Sequence, residues 1–184
     1  MVSKIKNKMA IQKRKKRFFE VDIPIINKKT QIQGYDIEEL VNTNLSYDLT
    51  RILKGKNIII QLKTKIEEDK LIAEPIGIIV LPSFLRRMIR KGTDYVEDSF
   101  IIQTKNKKVI VKVFLITRRK VSRAVKNALR TKAKEELTIE LSKRTLEDSL
   151  DDVLKGKTQK DLSLKLKKIY PLSLCEIRVL KELK

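Results

Sequence analysis

Histidine and tryptophan are absent from this chain, and cysteine occurs once, at Cys175. Without histidine there is no imidazole to act as a general base near neutral pH, to ligate a metal, or to activate a serine or thiol nucleophile. A single cysteine excludes an intramolecular disulfide and any multi-thiolate zinc site. Cys175 alternates with Ile177 and Val179, the pattern of a small side chain in the core. Five scattered glycines leave no glycine-rich phosphate loop. Aromatic residues make up only 5%, which argues against a base-stacking platform of the single-strand-binding type. The lack of tryptophan also removes the usual anchor of a membrane-surface helix. No apolar stretch is long enough to cross a bilayer, the longest being Ile76–Leu81. No signal-peptide-like hydrophobic stretch follows the basic start, so neither secretion nor a membrane partner is expected.

Acidic residues are the scarce charge, 23 against 43 Lys and Arg. Where they adjoin, as in Glu67-Glu68-Asp69 and Asp151-Asp152, they read as a turn and a solvated helix face. A two-metal nuclease needs carboxylates converging from several elements, which adjacency does not supply. No catalytic residue, metal site, cofactor or small-molecule substrate is therefore expected.

What the chain has is positive charge, a formal +20 over 184 residues, and it is clustered. A leading arm carries Lys13, Arg14, Lys15, Lys16 and Arg17; a second cluster holds Arg86, Arg87, Arg90 and Lys91. A third begins at Arg118, Arg119 and Lys120 and continues through Arg123, Lys126 and Arg130. From Arg118 to Lys134 there are eight cationic residues and no acidic one. Like charges at helical spacing repel, so such a stripe calls for an external anion. A compact domain with this field is relieved by a polyanion whose counterions are released on binding. The three clusters are the candidate RNA-binding residues, with a localisation signal the bland alternative for the arm.

The apolar pattern divides the chain into an arm, residues 1–17, and one domain, residues 18–184. Period two governs the first half. Phe19, Val21, Ile23 and Ile25 face a core with Phe18, Glu20 and Asp22 opposite, and Pro24 marks an edge or end. Ile58, Ile60, Leu62, Thr64 and Ile66 form a second stripe, and residues 71–79 a third, interrupted by Pro75 and Gly77. Residues 95–104 and 109–116 predict a hairpin in which Asn106 takes the left-handed turn position. A short helix over 84–91 is predicted between strands, closed by Gly92.

Beyond Arg118 the period becomes helical, with Val121, Val125, Ala128 and Leu129 on one side. Two further helices start at Thr145 and Thr158, the first burying Leu146, Leu150, Val153 and Leu154, the second Leu162, Leu166 and Ile169. Residues 174–180 alternate again and predict an edge strand. The fold class is α+β: a mostly antiparallel, barrel-like sheet with one interposed helix, three C-terminal helices and a basic arm.

At Leu115-Ile116-Thr117-Arg118-Arg119-Lys120 the sequence resembles the archaeal and eukaryotic small-subunit ribosomal protein family S-one-e, also called S-three-A-e. Lys168-Ile169-Tyr170-Pro171-Leu172 and Glu176-Ile177-Arg178-Val179-Leu180-Lys181 carry the same resemblance. So do Arg17-Phe18-Phe19-Glu20-Val21, the Phe84–Lys91 segment and Val109–Val113, so that it covers the chain from about residue 12 onward. It departs at Lys105-Asn106-Lys107-Lys108, where the family usually has an Asp-Gly-type turn, and is weak over 27–50.

The resemblance implies a β-barrel-like core flanked by helices. It also implies a ribosome-bound, cytoplasmic protein on the small-subunit platform, near the 3′ end of the ribosomal RNA and the messenger RNA exit. Its partners would be that RNA and neighbouring small-subunit proteins. On that match Arg86, Arg87, Arg90, Arg118, Arg119, Arg123 and Arg130 are expected RNA contacts. The chain stops soon after the last strand, as archaeal members do. The rival reading is a free RNA- or DNA-binding factor of the translation or chromatin kind, and an RNA nuclease is a distant third.

Overall fold

A computed structural model describes residues 15–53, 55–67 and 70–183. The first part of the predicted arm, including Lys13 and Arg14, lies outside the described residues. The order of elements is β1 (Arg17–Ile23), β2 (Lys28–Gly34), β3 (Asn44–Asp48), β4 (Ile58–Glu67), β5 (Lys70–Val80) and α1 (Pro82–Met88). There follow β6 (Tyr95–Gln103), β7 (Lys108–Thr117), α2 (Arg123–Ser142), α3 (Leu146–Lys155), α4 (Lys157–Leu166) and β8 (Leu172–Glu182). This is the α+β class read from the sequence. The sheet, however, is open rather than barrel-like: eight strands, with β2-β1-β5-β8-β7-β6 as its path and β3-β4 joined to β5. All pairings are antiparallel except β1 with β5.

The stripes read from sequence become one core. Val21, Ile23, Ile58, Ile60, Leu62 and Thr64 are buried, whereas Ile66, expected inside, is exposed near the strand end. β5 runs through Pro75 and Gly77 because the register against β4 skips Ile76, pairing Gln61 with Gly77 and Leu62 with Pro75. A bulge is where a strand tolerates a residue without an N–H. Gly77 serves a second end. A Cβ there would lie 2.6 Å from the Leu180 carbonyl oxygen, so only glycine lets β8 approach β5.

Several predicted boundaries move. β8 is not an edge strand; it lies between β5 and β7. Consecutive burial of Cys175, Glu176 and Ile177 reflects a strand covered on both faces. Burial there pushes the Cys175 thiol up to about 12, as suits an inert core side chain. α1 stops at Met88, and Ile89 turns to extended backbone. The sequence pattern gives the 84–91 helix an apolar side of Phe84, Leu85, Met88 and Ile89, of which Phe84 and Leu85 are buried and Met88 and Ile89 exposed. Asn106 is not left-handed; positive φ among described non-glycine residues occurs at Asn27 and Asn42. The β6–β7 turn is closed instead by Thr104, whose hydroxyl donates to the Lys107 carbonyl at 2.6 Å.

α2 starts at Arg123, not Arg118, capped by Ser122. Its buried stripe is Leu129, Ala133, Leu137 and Leu141, and Ala128 faces solvent. α3 is capped by Thr145 as expected, but α4 starts at Lys157 directly from Gly156, whose φ of 74° ends α3. Thr158 is therefore a buried helix residue rather than a cap, and Ile169 is exposed. α2 packs on β6, α3 on β5 and α4 on β8. β2 and β3 occupy the stretch 27–50, where the family resemblance is weak.

Candidate nucleic-acid interface

Two of the three basic clusters are brought together by a clamp at one end of the β6–β7 hairpin. Here α1 has ended and the chain turns through Arg90–Asp94 into β6, while β7 delivers Thr117–Val121 towards α2. The Thr117 amide donates to the Asp94 carbonyl at 2.9 Å, and the Asp94 amide donates to the Thr117 hydroxyl at 3.2 Å. That hydroxyl donates back, with the Asp94 and Arg119 carbonyls at 2.9 and 2.7 Å. The Asp94 carboxylate accepts from the Val121 amide at 3.0 Å. On the other side the Thr93 amide and hydroxyl both donate to the Arg90 carbonyl, at 3.2 and 2.7 Å.

The backbones that carry Arg90 and Lys91 and those that carry Arg118, Arg119 and Lys120 are thus laced together. All five side chains are exposed. The Arg119 carbonyl and the Val121 amide are committed to this clamp, and α2 begins only beyond it, at Arg123. The amide of Val121 and the Lys126 ammonium, 3.0 Å from the same oxygen, hold the Asp94 carboxyl below its ordinary value of 3.8.

The remaining sequence-predicted cations divide by their surroundings. Arg86 projects from α1 into solvent; Arg87 donates to the Asn57 side-chain oxygen at 3.1 Å and lies 5.9 Å from the centre of the Phe84 ring. Arg123 is exposed on the first turn of α2. Arg130, two turns on, lines a shallow groove with Lys112, Arg178, Glu97 and Asp98. Lys126 is the exception: its ion pair with Asp94 makes it a support of the clamp rather than a free cation. Among the described residues, no carboxylate pairs with Arg86, Arg87, Arg90, Lys91, Arg118, Arg119, Lys120, Arg123 or Arg130.

Elsewhere several cations are matched. Lys132 and Lys165 meet Glu136, Arg144 meets Glu140 and Asp152, Lys155 meets Asp151, and Lys56 meets the buried Glu176 at 2.7 Å. Such pairs add little stability at a surface; at the clamped end the exposed cations of two basic runs stand together without one.

The described end of the arm, Lys15–Arg17, is not part of this cluster. Lys15, Lys16 and Arg17 are exposed at the start of β1, and β1 pairs with β5 at Leu71 and Ile72. α1 leaves β5 at its other end, after Val80. Nine steps from Leu71 to Val80, at about 3.3 Å each, separate the two regions by about 30 Å.

Sequence reasoning missed Thr93, Asp94 and Thr117, the residues that unite the clusters. Their signal was present but unobtrusive: Asp94 is one carboxylate between two basic runs, and Thr117 is a polar residue ending an apolar strand.

Among the described residues, no group of three His, Cys, Asp or Glu side chains is placed to hold a metal. No helix among them is long and apolar enough to cross a membrane. A family model described as the Ribosomal S3Ae family matches residues 4–184. Among curated proteins, the small ribosomal subunit protein eS1 of Saccharolobus islandicus is 30% identical over 158 residues, covering 82% of this chain and 75% of its own. The protein of that name from Methanothermobacter thermautotrophicus is 34% identical over 111 residues, 58% of this chain and 57% of its own. That from Nanoarchaeum equitans is 25% identical over 175 residues, covering 90% and 87%. With the model match spanning nearly its whole length, the chain belongs to the ribosomal S3Ae family.

Proposed function

We propose that this protein is a structural constituent of the small ribosomal subunit that binds the subunit's RNA through its clamped basic end. Membership of a family of ribosomal structural proteins, not enzymes, supports the role. The observation that carries the RNA contact is the uncancelled charge of Arg90, Lys91, Arg118, Arg119, Lys120 and Arg123 on backbones tied by Asp94 and Thr117. Arginine forks and lysine point charges bind backbone phosphate oxygens without reading sequence. A rigid mount lets several do so at once, with little ordering entropy left to lose on binding.

The family resemblance supports a seat on the platform, near the 3′ end of the small-subunit RNA and the messenger RNA exit. RNA and neighbouring small-subunit proteins are its partners, and the cytoplasmic ribosome its location. The arm, Lys13–Arg17, is the second phosphate-binding element. Sucrose-gradient sedimentation of native extract after a moderate salt wash tests the reading. The protein should travel with small subunits; recovery at the top of the gradient, as for a free factor, would overturn it.

A further inference from the structure

At the opposite end of β5 from the clamp, the outward face of the β1–β2 ribbon carries two exposed aromatic rings that the phosphate-binding role does not use. β1 and β2 pair with Arg17 opposite Gly34 and Phe18 opposite Gln33. One step further sets Lys16 opposite Tyr35, and the Lys16 ammonium lies 5.5 Å from the centre of the Tyr35 ring. Alternation therefore puts Lys16, Phe18, Gln33 and Tyr35 on one face, and Phe19, Val21 and Ile32 on the core face.

Phe18 is 69% exposed and Tyr35 40%. Phe18, so open on a sheet face, has left most of its transfer free energy unclaimed. The two residues occupy diagonal positions, their backbones about 7–8 Å apart by strand geometry. A flat heterocycle touching a ring on each side needs about 7 Å, two contacts of about 3.5 Å.

We infer that Phe18 and Tyr35, flanked by Lys16 and Gln33, form a stacking site for unpaired nucleobases of RNA. The chemistry around the rings selects this occupant. Lys16 supplies a cation for the phosphate beside a stacked base. Gln33 offers an amide donor and acceptor to a base edge. Lys15 and Arg17 continue the positive charge along the ribbon. The carboxylates on the same face, Glu20 and Asp22, lie towards its other end, where Lys29 approaches them at 3.9 and 3.7 Å. An aliphatic protein ligand would have no use for this cation-and-amide surround. A scarcity of aromatics across the chain excludes an extended platform, but two rings on one face suffice for one or two bases.

The site rests on the proposed function for the premise that RNA is the partner and shares the arm's Lys16 with it, but it uses none of the residues of the clamped end. Its test compares a labelled ten-nucleotide oligoadenylate, an abasic oligomer of equal length and an RNA duplex, each bound to the full chain and to F18A/Y35A. The double variant should lose about tenfold or more in oligoadenylate affinity, with abasic and duplex binding unchanged. Because the chain has no tryptophan, F18W adds a unique fluorophore. Its emission should be quenched by oligoadenylate and not by the abasic oligomer. Unchanged oligoadenylate affinity with no quenching would overturn the inference, as would equal losses on all three ligands. Failure of duplex binding by the unaltered chain would instead count against the clamped basic end.

Discussion

Asp94 illustrates how a single carboxylate can organise a surface of opposite charge. It takes the Val121 amide and the Lys126 ammonium on one side chain while its backbone engages Thr117. Its carboxyl titrates below 3.8 in the folded protein. The stability this adds is present above the unfolded value and is lost as pH falls from about 4 through the lower folded value. Thermal melts between pH 2.5 and 7 should show this acid limb reduced in D94N, with a lower melting temperature at neutral pH. Identical acid limbs in the two proteins would show that the carboxylate does not hold the clamp. Gly77 is a second decisive position. A methyl group there meets backbone atoms of Leu180 and Lys181 at 2.6 and 2.8 Å, not a side chain that can swing away. G77A should cost about 1–3 kcal/mol in urea unfolding, the usual range for overpacking.

Among the elements, α2 carries its charges the wrong way round for a helix. Its first turn has no acidic residue and its last turn no basic one, whereas the macrodipole favours the reverse. The amino-terminal half bears Arg123, Lys126 and Arg130; the other half bears Glu135, Glu136 and Glu140. Phosphate at the amino end would complete what the side chains leave undone. Replacing Arg119, Arg123 and Arg130 with Gln should therefore leave circular dichroism unchanged and the melting temperature equal or slightly higher. Incorporation into small subunits should fall. A fall in melting temperature would mean these residues support the core.

Much of the element pattern was legible, because each stripe obeys one period: Ile58, Ile60, Leu62 and Thr64 in β4, and Leu129 in α2. Two of the misread boundaries, β8 and the start of α2, were decided by contacts distant in sequence: the insertion between β5 and β7, and the Asp94–Thr117 clamp. Local propensity holds no record of these. The turn at Asn106 was decided nearby, by the Thr104 hydroxyl bonded to Lys107. The cationic clusters were plain as composition, yet only the fold shows that two of them meet and that Lys126 is already paired.

For the whole molecule, charge is partitioned rather than spread. Carboxylates cluster along α3 and the far half of α2, where they meet Lys132, Arg144, Lys155 and Lys165. Uncancelled cations gather at the clamped end and, about a strand's length away, at Lys15, Lys16 and Arg17 beside Phe18 and Tyr35. A protein with two such surfaces on a rigid sheet can bridge separate stretches of one folded RNA, each held mainly by counterion release.

The most direct measurement is the affinity of the full chain for small-subunit ribosomal RNA as a function of salt, with a variant carrying Gln at Arg90, Arg118, Arg119 and Arg123. If roughly eight phosphates are neutralised, affinity should fall by about 10³–10⁵ between 50 and 200 mM salt. The fourfold variant should bind more weakly and lose about 3–4 from the log–log slope. A slope near zero, or one that the four substitutions leave unaltered, would contradict the account.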